Sequence, residues 1–464
     1  MNELLKIKNP KIIKLIEFLK NKIKGTSYEK HVFLVGGCVR DAILGRDCED
    51  VDVVVDILNG EVGLSNWLTI DDESYIKDAN PAIFPTYGTA SFYLLNQEDF
   101  KDIEIQCVHT CRLQEKGSKL AFGTVEEDAL KRDLTINALY YNISTDDILD
   151  PTHMGLNDIK NHILRTPSDS VLKDDPCRIL RIIRFSNLLD WGIEKNTWLS
   201  MIRNSYEVLK VPQSRITNEL NKILVTDRPS KAIIRMLCCN NLLNYVLPGV
   251  SYQQHIWQSK FPKETVLEHT LKVLDAVKPK IENRLAALFH DVGKILTYKK
   301  GYANHASEGA TFTQKMMGYL KYPKPVIKDV VTAISLHEVF SMYKDKQIPS
   351  KKLLRKFRNY VGNNYDLTMD LIDANNKAQY YGKKLNQVML IKEAIRTIEI
   401  KEKKNLTTIK LPVNGNDIKD YFKIKSGPTV GKALKIVKDA YFENPDITKE
   451  QCFELISKIY KIKI

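Results

Sequence analysis

The sequence predicts an α+β protein, in which a mixed-sheet head precedes a mostly helical neck, body and tail. Runs rich in β-branched residues alternate with helical segments between residues 30 and 145, whereas helical periodicity dominates from about residue 150 onward. The 464-residue length also exceeds what a single core normally supports. We therefore expect four parts: a head with an N-terminal helix (1–150), a neck (151–255), a body (256–384) and a tail (385–464).

Composition restricts the class of protein. A hydrophobic fraction of 43% and a charged fraction of 27% are typical of a globular domain, and the sequence lacks a run of roughly 18 apolar residues that could span a membrane. The net charge of +13 favours a polyanionic partner, nucleic acid first, or simply reflects a Lys-rich composition. The eight cysteines form no CxxC pair, and the first 24 residues read as an amphipathic helix rather than a signal peptide. We expect a cytoplasmic protein.

The first motif is a glycine pair between a predicted strand and a predicted helix. Phe33-Leu34-Val35 has a buried-strand pattern, Gly36-Gly37 follows it, and residues 38–45 resemble a helix start. Such a turn brings backbone N–H groups close to an anion, and Arg40 adds a planar fork that suits phosphate oxygens. The motif predicts a phosphate-binding loop, although glycine turns after strands are common by themselves.

Two aspartates follow at strand spacing. Asp50-Val51-Asp52 leads into a run of three valines, and residues two apart on a strand point to the same side. Two carboxylates so close repel each other unless a cation lies between them, and Mg²⁺ prefers hard oxygen ligands. We therefore predict that Asp50 and Asp52 are catalytic ligands of Mg²⁺ in a two-metal phosphoryl transfer. The alternative is a solvated acidic turn.

These segments and later ones, in the same order, resemble the class II tRNA nucleotidyltransferase and bacterial poly(A) polymerase family of the HD-domain-bearing type. The matching residues are 34–41, 44–45, 50–52, 131–138, 148–151, Gly155, Asp158, 174–178, Arg181, Arg184 and Phe185. The resemblance covers nearly the whole chain and implies a polymerase β-like nucleotidyltransferase head. The chain departs from the family at Lys131 and Asp174, where Arg and Glu are usual.

The resemblance also implies the residues that bind the nucleotide. Arg132 would stabilise charge on the leaving group and act in catalysis, unless it forms only a surface ion pair. Asp133 would orient a neighbouring basic group or the ribose. The complete nucleotide-binding set expected from the family is Gly36, Gly37, Arg40, Arg132, Asp133, Asn137, Asp175, Arg178, Arg181 and Arg184.

One helix is expected to choose the base. Asp175 and Arg178 are three residues apart and would share a helix face, which Arg181 and Arg184 continue. Cytosine and adenine both present an amine donor beside a ring-nitrogen acceptor, so a carboxylate and a guanidinium together accept C and A and reject U and G. The family resemblance assigns this role to Asp175 and Arg178, and the alternative is a solvated ion pair. Arg215 and Glu219 match a helix-bracing motif and are expected to be structural.

A second candidate site lies in the body. Glu268-His269, His290-Asp291 after an apolar run, and a later Asp373 resemble the HD phosphohydrolase superfamily. Imidazole and carboxylate ligands from separate helices can hold a divalent metal that activates water. The resemblance implies metal ligands at His269, His290, Asp291 and Asp373, with the metal unidentified. His305 and His337 either complete a second metal site or lie at the surface.

The tail is basic. Residues 401–464 contain 14 Lys against 8 Asp plus Glu, and this segment resembles the RNA-gripping tail of HD-bearing tRNA nucleotidyltransferases. The expected function is CCA addition to tRNA 3′ ends from CTP and ATP, without a membrane or an obligate protein partner. The alternatives are a poly(A) polymerase, an enzyme that adds only CC or A, an HD phosphohydrolase with a non-catalytic RNA-binding head, and a non-catalytic RNA-binding protein.

Overall fold

A computed structural model describes residues 5–48, 50–70, 81–84, 88–94, 97–99, 101–113, 120–258, 261–343, 347–380, 386–402, 406–407 and 409–460. The chain divides into two compact units, Met1–Val246 and Leu247–Ile464. The division lies close to the boundary predicted near residue 255. None of the helices in the described parts of the chain is both long enough and apolar enough to cross a membrane.

The first unit contains the strands and the helices that carry the nucleotide motifs. Its strands are β1 Val32–Val35, β2 Val51–Val55, β3 Ala82–Phe84, β4 Thr89–Phe92, β5 Ile105–His109, β6 Cys111–Leu113, β7 Leu120–Phe122, β8 Tyr140–Asn142, β9 Ile148–Leu149, β10 Ile163–Leu164 and β11 Gly192–Ile193. Its α-helices are α1 Pro10–Ile23, α2 Gly37–Ile43, α3 Gly60–Ile70, α4 Val125–Lys131, α5 Gly155–Asn161, α6 Val171–Asp174, α7 Cys177–Leu189, α8 Lys195–Asn204, α9 Gln213–Leu224, α10 Pro229–Cys238 and α11 Leu242–Val246. Short 3₁₀ helices cover Thr135–Asn137 and Ser205–Lys210.

A mixed sheet forms the centre of the head. Over the described residues it has seven strands in the order β3-β4-β5-β2-β1-β8-β9. The β2–β5 pair is parallel and the other pairs are antiparallel. Valines fill β2 because this strand lies between two others and is buried along most of its length. The sheet therefore holds Asp52 at a fixed register, opposite Val35.

Helix α1 illustrates why the sequence forms its helices. The side chain of Asn9 accepts a hydrogen bond from the backbone N–H of Lys11, and Pro10 occupies the first turn, where its missing N–H is tolerated. The apolar residues recur at helical spacing and are buried: Ile12, Leu15, Ile16, Leu19 and Ile23. The predicted amphipathic helix is thus a helix that packs by its apolar face.

The second unit is almost entirely helical. Its elements are β12 Trp257–Gln258, β13 Phe261–Thr265, α12 Val266–Ala276, α13 Ile281–Phe289, α14 Lys294–Thr297, α15 His305–Tyr319, α16 Lys324–Leu336, α17 Lys351–Val361, α18 Tyr365–Tyr380, α19 Gln387–Glu402, α20 Gly415–Phe422, α21 Pro428–Glu443 and α22 Lys449–Tyr460. Short 3₁₀ helices cover Val250–His255, Tyr298–Lys300 and Gly362–Asn364.

The hydrophobic cores of this unit place the boundary between body and tail later in the chain than predicted. Residues of α19, among them Ile391 and Ile395, pack in one core with Phe357 of α17 and Met369 of α18. The boundary expected at residue 384 would separate α19 from this core. A distinct small core joins α20, α21 and α22. The described tail therefore begins with the segment that follows α19.

Candidate active sites

The glycine loop and Asp52 are in close contact. Gly36 follows β1 and adopts a φ of 74°. A Cβ atom at this position would lie only 2.9 Å from Oδ2 of Asp52. Glycine is therefore required twice, for the backbone conformation and for the approach of the loop to the carboxylate.

The two aspartates differ in environment. Asp52 is half-buried on β2, and Asp50 precedes the strand and is exposed. Burial raises the pKa of Asp52, and the negative charge of Asp50 raises it further. The positive charges of Arg132 and Arg181 act in the opposite direction. A nearby cation would relieve the repulsion between the carboxylates, so these residues fit a divalent metal ion. Sγ of Cys38 lies 3.4 Å from Sγ of Cys48, and this contact joins the segment before Asp50 to α2.

Arg40 has partners that the sequence did not reveal. Its Nε and Nη2 donate to the carboxylate of Asp41 at 2.9 and 2.6 Å, and Nη1 donates to Oδ1 of Asn137 at 2.7 Å. The residue is 5% exposed, and its guanidinium lies 4.8 Å from the ring centroid of Phe185. The expected contact of Arg40 with phosphate oxygens stays a prediction, and the side chain is already hydrogen-bonded within the protein. Through these hydrogen bonds, Arg40 joins α2 to the segment that carries Asn137.

Arg132 is held as a fixed cation. Its Nε donates to Oδ2 of Asp128 at 3.1 Å and to the hydroxyl of Tyr140 at 3.0 Å. Burial alone would lower the pKa of Arg132, but Tyr140 and Asp128 raise it above the usual range. The guanidinium is therefore charged at any physiological pH, and its hydrogen bonds to Asp128 and Tyr140 fix its orientation.

Asp133 is hydrogen-bonded to Arg181, a basic residue 48 positions further along the chain. Its Oδ2 accepts a short hydrogen bond from Nε of Arg181, and its Oδ1 accepts from Nδ2 of Asn137 at 2.9 Å. Burial would raise the pKa of Asp133, but Arg181 and Asn137 outweigh it and lower the pKa. Asn137 is itself buried, and its side chain links Asp133 to Arg40.

A cavity of about 570 Å³ contains five members of the predicted nucleotide-binding set. Its lining comprises Asp128, Lys131, Arg132, Asp133, Asp175, Cys177, Arg178, Arg181, Arg215, Asn218, Glu219 and Lys222. The lining does not include Gly36, Gly37, Arg40, Asn137 or Arg184. Nε of Arg184 instead donates to Oε2 of Glu219 at 2.8 Å. The cavity is rich in cations and is suited to an anionic ligand.

The proposed base-selecting pair is close, but the two residues do not share a helix. Asp175 has an extended conformation, and α7 begins only at Cys177. Pro176 explains this difference, because the residue before a proline is sterically disfavoured from the helical region. Oδ1 of Asp175 accepts from the N–H of Cys177, and Oδ2 lies 3.8 Å from Nε of Arg178. The expected helical face is therefore wrong, whereas the expected proximity is confirmed.

Arg215 also contacts Asp175. Its Nη2 donates to Oδ2 of Asp175 at 2.7 Å, a shorter distance than that from Arg178. Arg178 in turn donates from Nη1 to the carbonyl of Val171 at 3.2 Å. Arg215 was expected to brace the helix only. It lies in the cavity wall and positions the carboxylate.

In the second unit, imidazoles from four segments surround Asp291. The ligand atoms of His269, His290 and Asp291 lie within 4.8 Å of one another, and so do those of Asp291, His305 and His337. Burial lowers the pKa of His269 to about 3 and also lowers the pKa of His337, so both rings are neutral, as metal ligands must be. His305 and His337 are buried, which excludes the surface alternative for them.

Asp373 does not join this cluster. Its Oδ2 accepts from Nζ of Lys377 at 2.7 Å, and it belongs to neither of the two candidate metal groups. Oδ1 of Asn375 instead lies 2.8 Å from Nε2 of His269. Residues two apart on a helix point about 200° from each other, so the face of α18 that reaches His269 cannot also present Asp373. The assignment of Asp373 as a ligand is corrected.

Three family profiles match successive segments of the chain. The profile described as "Poly A polymerase head domain" matches residues 32–165. The profile described as "Probable RNA and SrmB- binding site of polymerase A" matches residues 192–253, and the profile described as "HD domain" matches residues 266–374. The chain belongs to the family of CCA-adding enzymes and poly(A) polymerases.

Curated relatives of this family differ in how much of the chain they share. The mitochondrial CCA tRNA nucleotidyltransferase of Saccharomyces cerevisiae is 34% identical over 43% of this chain and 39% of its own length. The CC-adding tRNA nucleotidyltransferase of Thermus thermophilus is 26% identical over 91% of this chain and 92% of its own. The chain thus spans less than half of the yeast enzyme that it matches, and nearly all of the Thermus enzyme.

A solved family member has the same fold. The Bacillus stearothermophilus CCA-adding enzyme in complex with CTP gives a TM-score of 0.66, covering 97% of this chain and 98% of that chain. The sequence identity is 18%, so this likeness concerns the fold. It confirms the nucleotidyltransferase head followed by helical parts.

The sequence did not predict several residues that line the cavity or contact Asp291. Lys131 lies beside the predicted Arg132 and Lys222 one turn beyond Glu219, and both line the cavity. Their positive charge next to a motif was the available signal. Gln258 and Lys294 contact Asp291 in the body. Lys294 follows the His-Asp pair directly in sequence, whereas Gln258 gave no signal because its contact depends on the fold.

Proposed function

We propose that this family member extends tRNA 3′ ends with cytidine and adenosine, producing CCA from CTP and ATP. The observation that carries the proposal is the contact between the Gly36 loop and the carboxylate of Asp52, in the unit whose cavity contains Asp175 and Arg178. A phosphate loop, metal-binding carboxylates and a base reader are the parts that a template-independent transferase needs.

In the proposed reaction, the 3′-oxygen of the RNA forms a bond to the α-phosphorus and the bond to pyrophosphate breaks. Mg²⁺ bound by Asp50 and Asp52 would favour loss of the hydroxyl proton and neutralise charge on the pyrophosphate. Arg132 and Arg181 face the cavity as cations with fixed partners, so they can bind the triphosphate without reorganisation.

Base choice in this proposal depends on Asp175 and Arg178. The carboxylate accepts from the exocyclic amine and the guanidinium donates to the ring nitrogen, a pattern that cytosine and adenine share. Arg215 holds the carboxylate from the other side at 2.7 Å. Uracil or guanine would leave both protein groups unpaired, which is unfavourable in a partly buried site.

The decisive assay uses a tRNA that ends at its discriminator base. We expect the purified protein to add CCA with CTP and ATP together, as read by sequencing of the product ends. Asp52→Ala should abolish addition, whereas Asp47→Ala, which removes an exposed carboxylate from the same segment, should not. Products that end in CC, in a single A or in a poly(A) run would identify one of the narrower family activities instead. Full addition by folded Asp52→Ala protein would refute the metal assignment.

A second candidate activity is metal-dependent phosphohydrolysis in the body. It is favoured by the histidine cluster around the buried Asp291. We expect hydrolysis of a phosphomonoester or phosphodiester in the presence of a transition metal, and loss of that hydrolysis in His337→Gln. Retention of hydrolysis in this variant would place the activity elsewhere.

Cytoplasmic location and independence from an obligate protein partner stay predictions. Fractionation of cells that express the tagged chain tests the first. Activity of the purified chain alone in the tRNA assay tests the second.

A further inference from the structure

Two cysteine side chains meet beside the glycine loop of the head. Cys38 directly follows Gly37 in the first turn of α2, and Cys48 lies two residues before Asp50. Their Sγ atoms are 3.4 Å apart, and the two residues are only 3% and 9% exposed. The proposed nucleotide addition uses neither thiol, so the pair is available for chemistry of its own.

The path of the chain between the two cysteines explains why they meet. Gly45 follows α2 with a φ of 62°. The backbone N–H of Arg46 donates to the carbonyl of Asp41 at 2.8 Å, so the chain turns back along the helix. Nδ2 of Asn9 donates to the carbonyl of Cys48 at 3.4 Å. The returning segment is thus held against the start of α2, with the two sulfurs in contact.

We propose that Cys38 and Cys48 form a reversible disulfide when hydrogen peroxide oxidises the protein, and that this bond suppresses nucleotide addition. The effect on activity rests on the proposed function, whereas formation of the bond does not depend on it. The pair would make the head sensitive to oxidants through residues that take no part in the transfer itself.

The oxidation proceeds in two steps. Cys48 is the more exposed thiol, and the nearby Asp47 and Asp50 are exposed as well, so a molecule as small as peroxide reaches Cys48 first. Peroxide converts the Cys48 thiol to a sulfenic acid and is reduced to water. The sulfur of Cys38 then attacks the Cys48 sulfur, and a second water leaves as the S–S bond forms. The two thiols together lose two hydrogens and two electrons, which the peroxide accepts.

The disulfide would displace a predicted metal ligand. A covalent bond requires the sulfurs to approach from 3.4 Å to about 2.05 Å. Cys38 is part of a helix, whereas Cys48 lies outside helices and strands, so the segment of Cys48 moves more readily. Asp50 is two residues further along this segment, and metal–ligand distances tolerate changes of only about 0.2 Å. The bond therefore moves Asp50 away from its position beside Asp52.

The test treats the full chain with a small molar excess of hydrogen peroxide, which gel filtration then removes. The parent protein for the test contains Cys238→Ser, because Cys238 is exposed and would otherwise link separate molecules. Peptide mapping without reductant should find Cys38 and Cys48 in one crosslinked species. Addition of CTP to a tRNA that ends at its discriminator base should fall by at least about tenfold, since a misplacement of about 1 Å can reduce a rate roughly 100-fold. Dithiothreitol should restore the rate.

Cys48→Ala in the parent protein is the matched control. It should add nucleotides at a rate close to that of the reduced parent and should keep this rate after peroxide treatment. If this variant fails to fold, Cys38→Ala serves the same purpose. The mapped crosslink and its reversal by dithiothreitol need neither variant.

Four results would overturn the inference. These are the absence of the crosslink after peroxide treatment, an unchanged rate in crosslinked protein, a loss of rate that dithiothreitol does not reverse, and an equal loss in Cys48→Ala. A reduced parent protein that adds no nucleotide would instead count against the proposed function, and peptide mapping would still show whether the disulfide forms.

Discussion

Replacement of Arg178 by alanine tests the base-selecting pair. Arg178 lines the cavity, its Nε lies 3.8 Å from Oδ2 of Asp175, and the two side chains are 23% and 25% exposed. The substitution removes the donor to the ring nitrogen that cytosine and adenine share, but it leaves Arg132 and Arg181 to bind phosphates. We therefore expect discrimination against UTP and GTP to fall more than nucleotide binding does.

The expected size follows from the exposure of the pair. A good pair of base contacts contributes on the order of 1–3 kcal/mol of discrimination. Because about a quarter of each side chain is exposed, water can replace part of the lost contact, and we expect the lower part of this range. A loss of about 1–2 kcal/mol corresponds to roughly a 5- to 30-fold loss of discrimination.

The assay is kcat/KM for each of the four triphosphates on a tRNA that ends at its discriminator base. Arg215→Ala is the matched comparison, because it removes the other guanidinium that contacts Asp175. Arg215 is 52% exposed, so its ion pair contributes about 0.2–1 kcal/mol and its loss should slow CTP and ATP addition by less than about 5-fold.

Two results would refute this reasoning. If Arg178→Ala slows all four nucleotides by one factor, Arg178 binds phosphate or positions the chain instead of reading a base. If Arg215→Ala relaxes discrimination more than Arg178→Ala does, then the shorter contact to Asp175 marks Arg215 as the reader.

Three other predictions concern the loop, the metal ligand and the body. Gly36→Ala should lower the free energy of unfolding by about 1–3 kcal/mol through backbone strain, and it should abolish most activity because the new Cβ displaces the Asp52 carboxylate. The control is Gly45→Ala, at a φ of 62° and with nothing within 4 Å of the new Cβ. It should show the strain in urea unfolding but should stay active. Asp52→Asn should raise the free energy of unfolding at neutral pH in EDTA. The pKa of Asp52 is higher in the folded state than in the unfolded state, so the stability of the wild type declines as the pH rises between these two pKa values. The variant, which has no carboxyl at this position, should lack this decline. His290→Ala should spare CCA addition, since His290 and the nucleotide cavity belong to different compact units, and a loss of addition by folded His290→Ala protein would contradict this independence.

The sequence predicted the parts of the fold that depend on local patterns. The valine run at Val51–Val55 is a strand with the expected bounds, since a buried strand needs little more than consecutive β-branched residues. The close approach of Gly36 to Asp52 follows from the pairing of β1 with β2, because Gly36 directly follows β1 and Asp52 lies on β2 opposite Val35. The structure of such short segments is determined mostly by their own residues and by those of the neighbouring strand.

Contacts between distant segments were not accessible. Arg40 was expected to contact phosphate oxygens, and only the fold reveals Asn137, 97 residues away, as a hydrogen-bond partner. Asp175 was placed on a helix because of its spacing from Arg178, but Pro176 disfavours the helical conformation at residue 175, and α7 begins only at Cys177. Asp373 was expected to be a metal ligand, but the face of α18 that reaches His269 carries Asn375, whereas Asp373 contacts Lys377.

The close approach of Gly36 to Asp52 restricts how this protein can evolve. An alanine at Gly36 meets the Asp52 carboxylate at 2.9 Å, whereas in a chain that has already lost this carboxylate it meets only backbone strain. The substitutions at Gly36 and Asp52 are therefore epistatic. Each is better tolerated once the other residue has already been replaced, because the contact that conserved it is then gone. A lineage that loses nucleotide transfer through Asp52 is then free to lose the glycine as well. Restoring the aspartate alone would not restore the enzyme, so the loss of activity becomes hard to reverse.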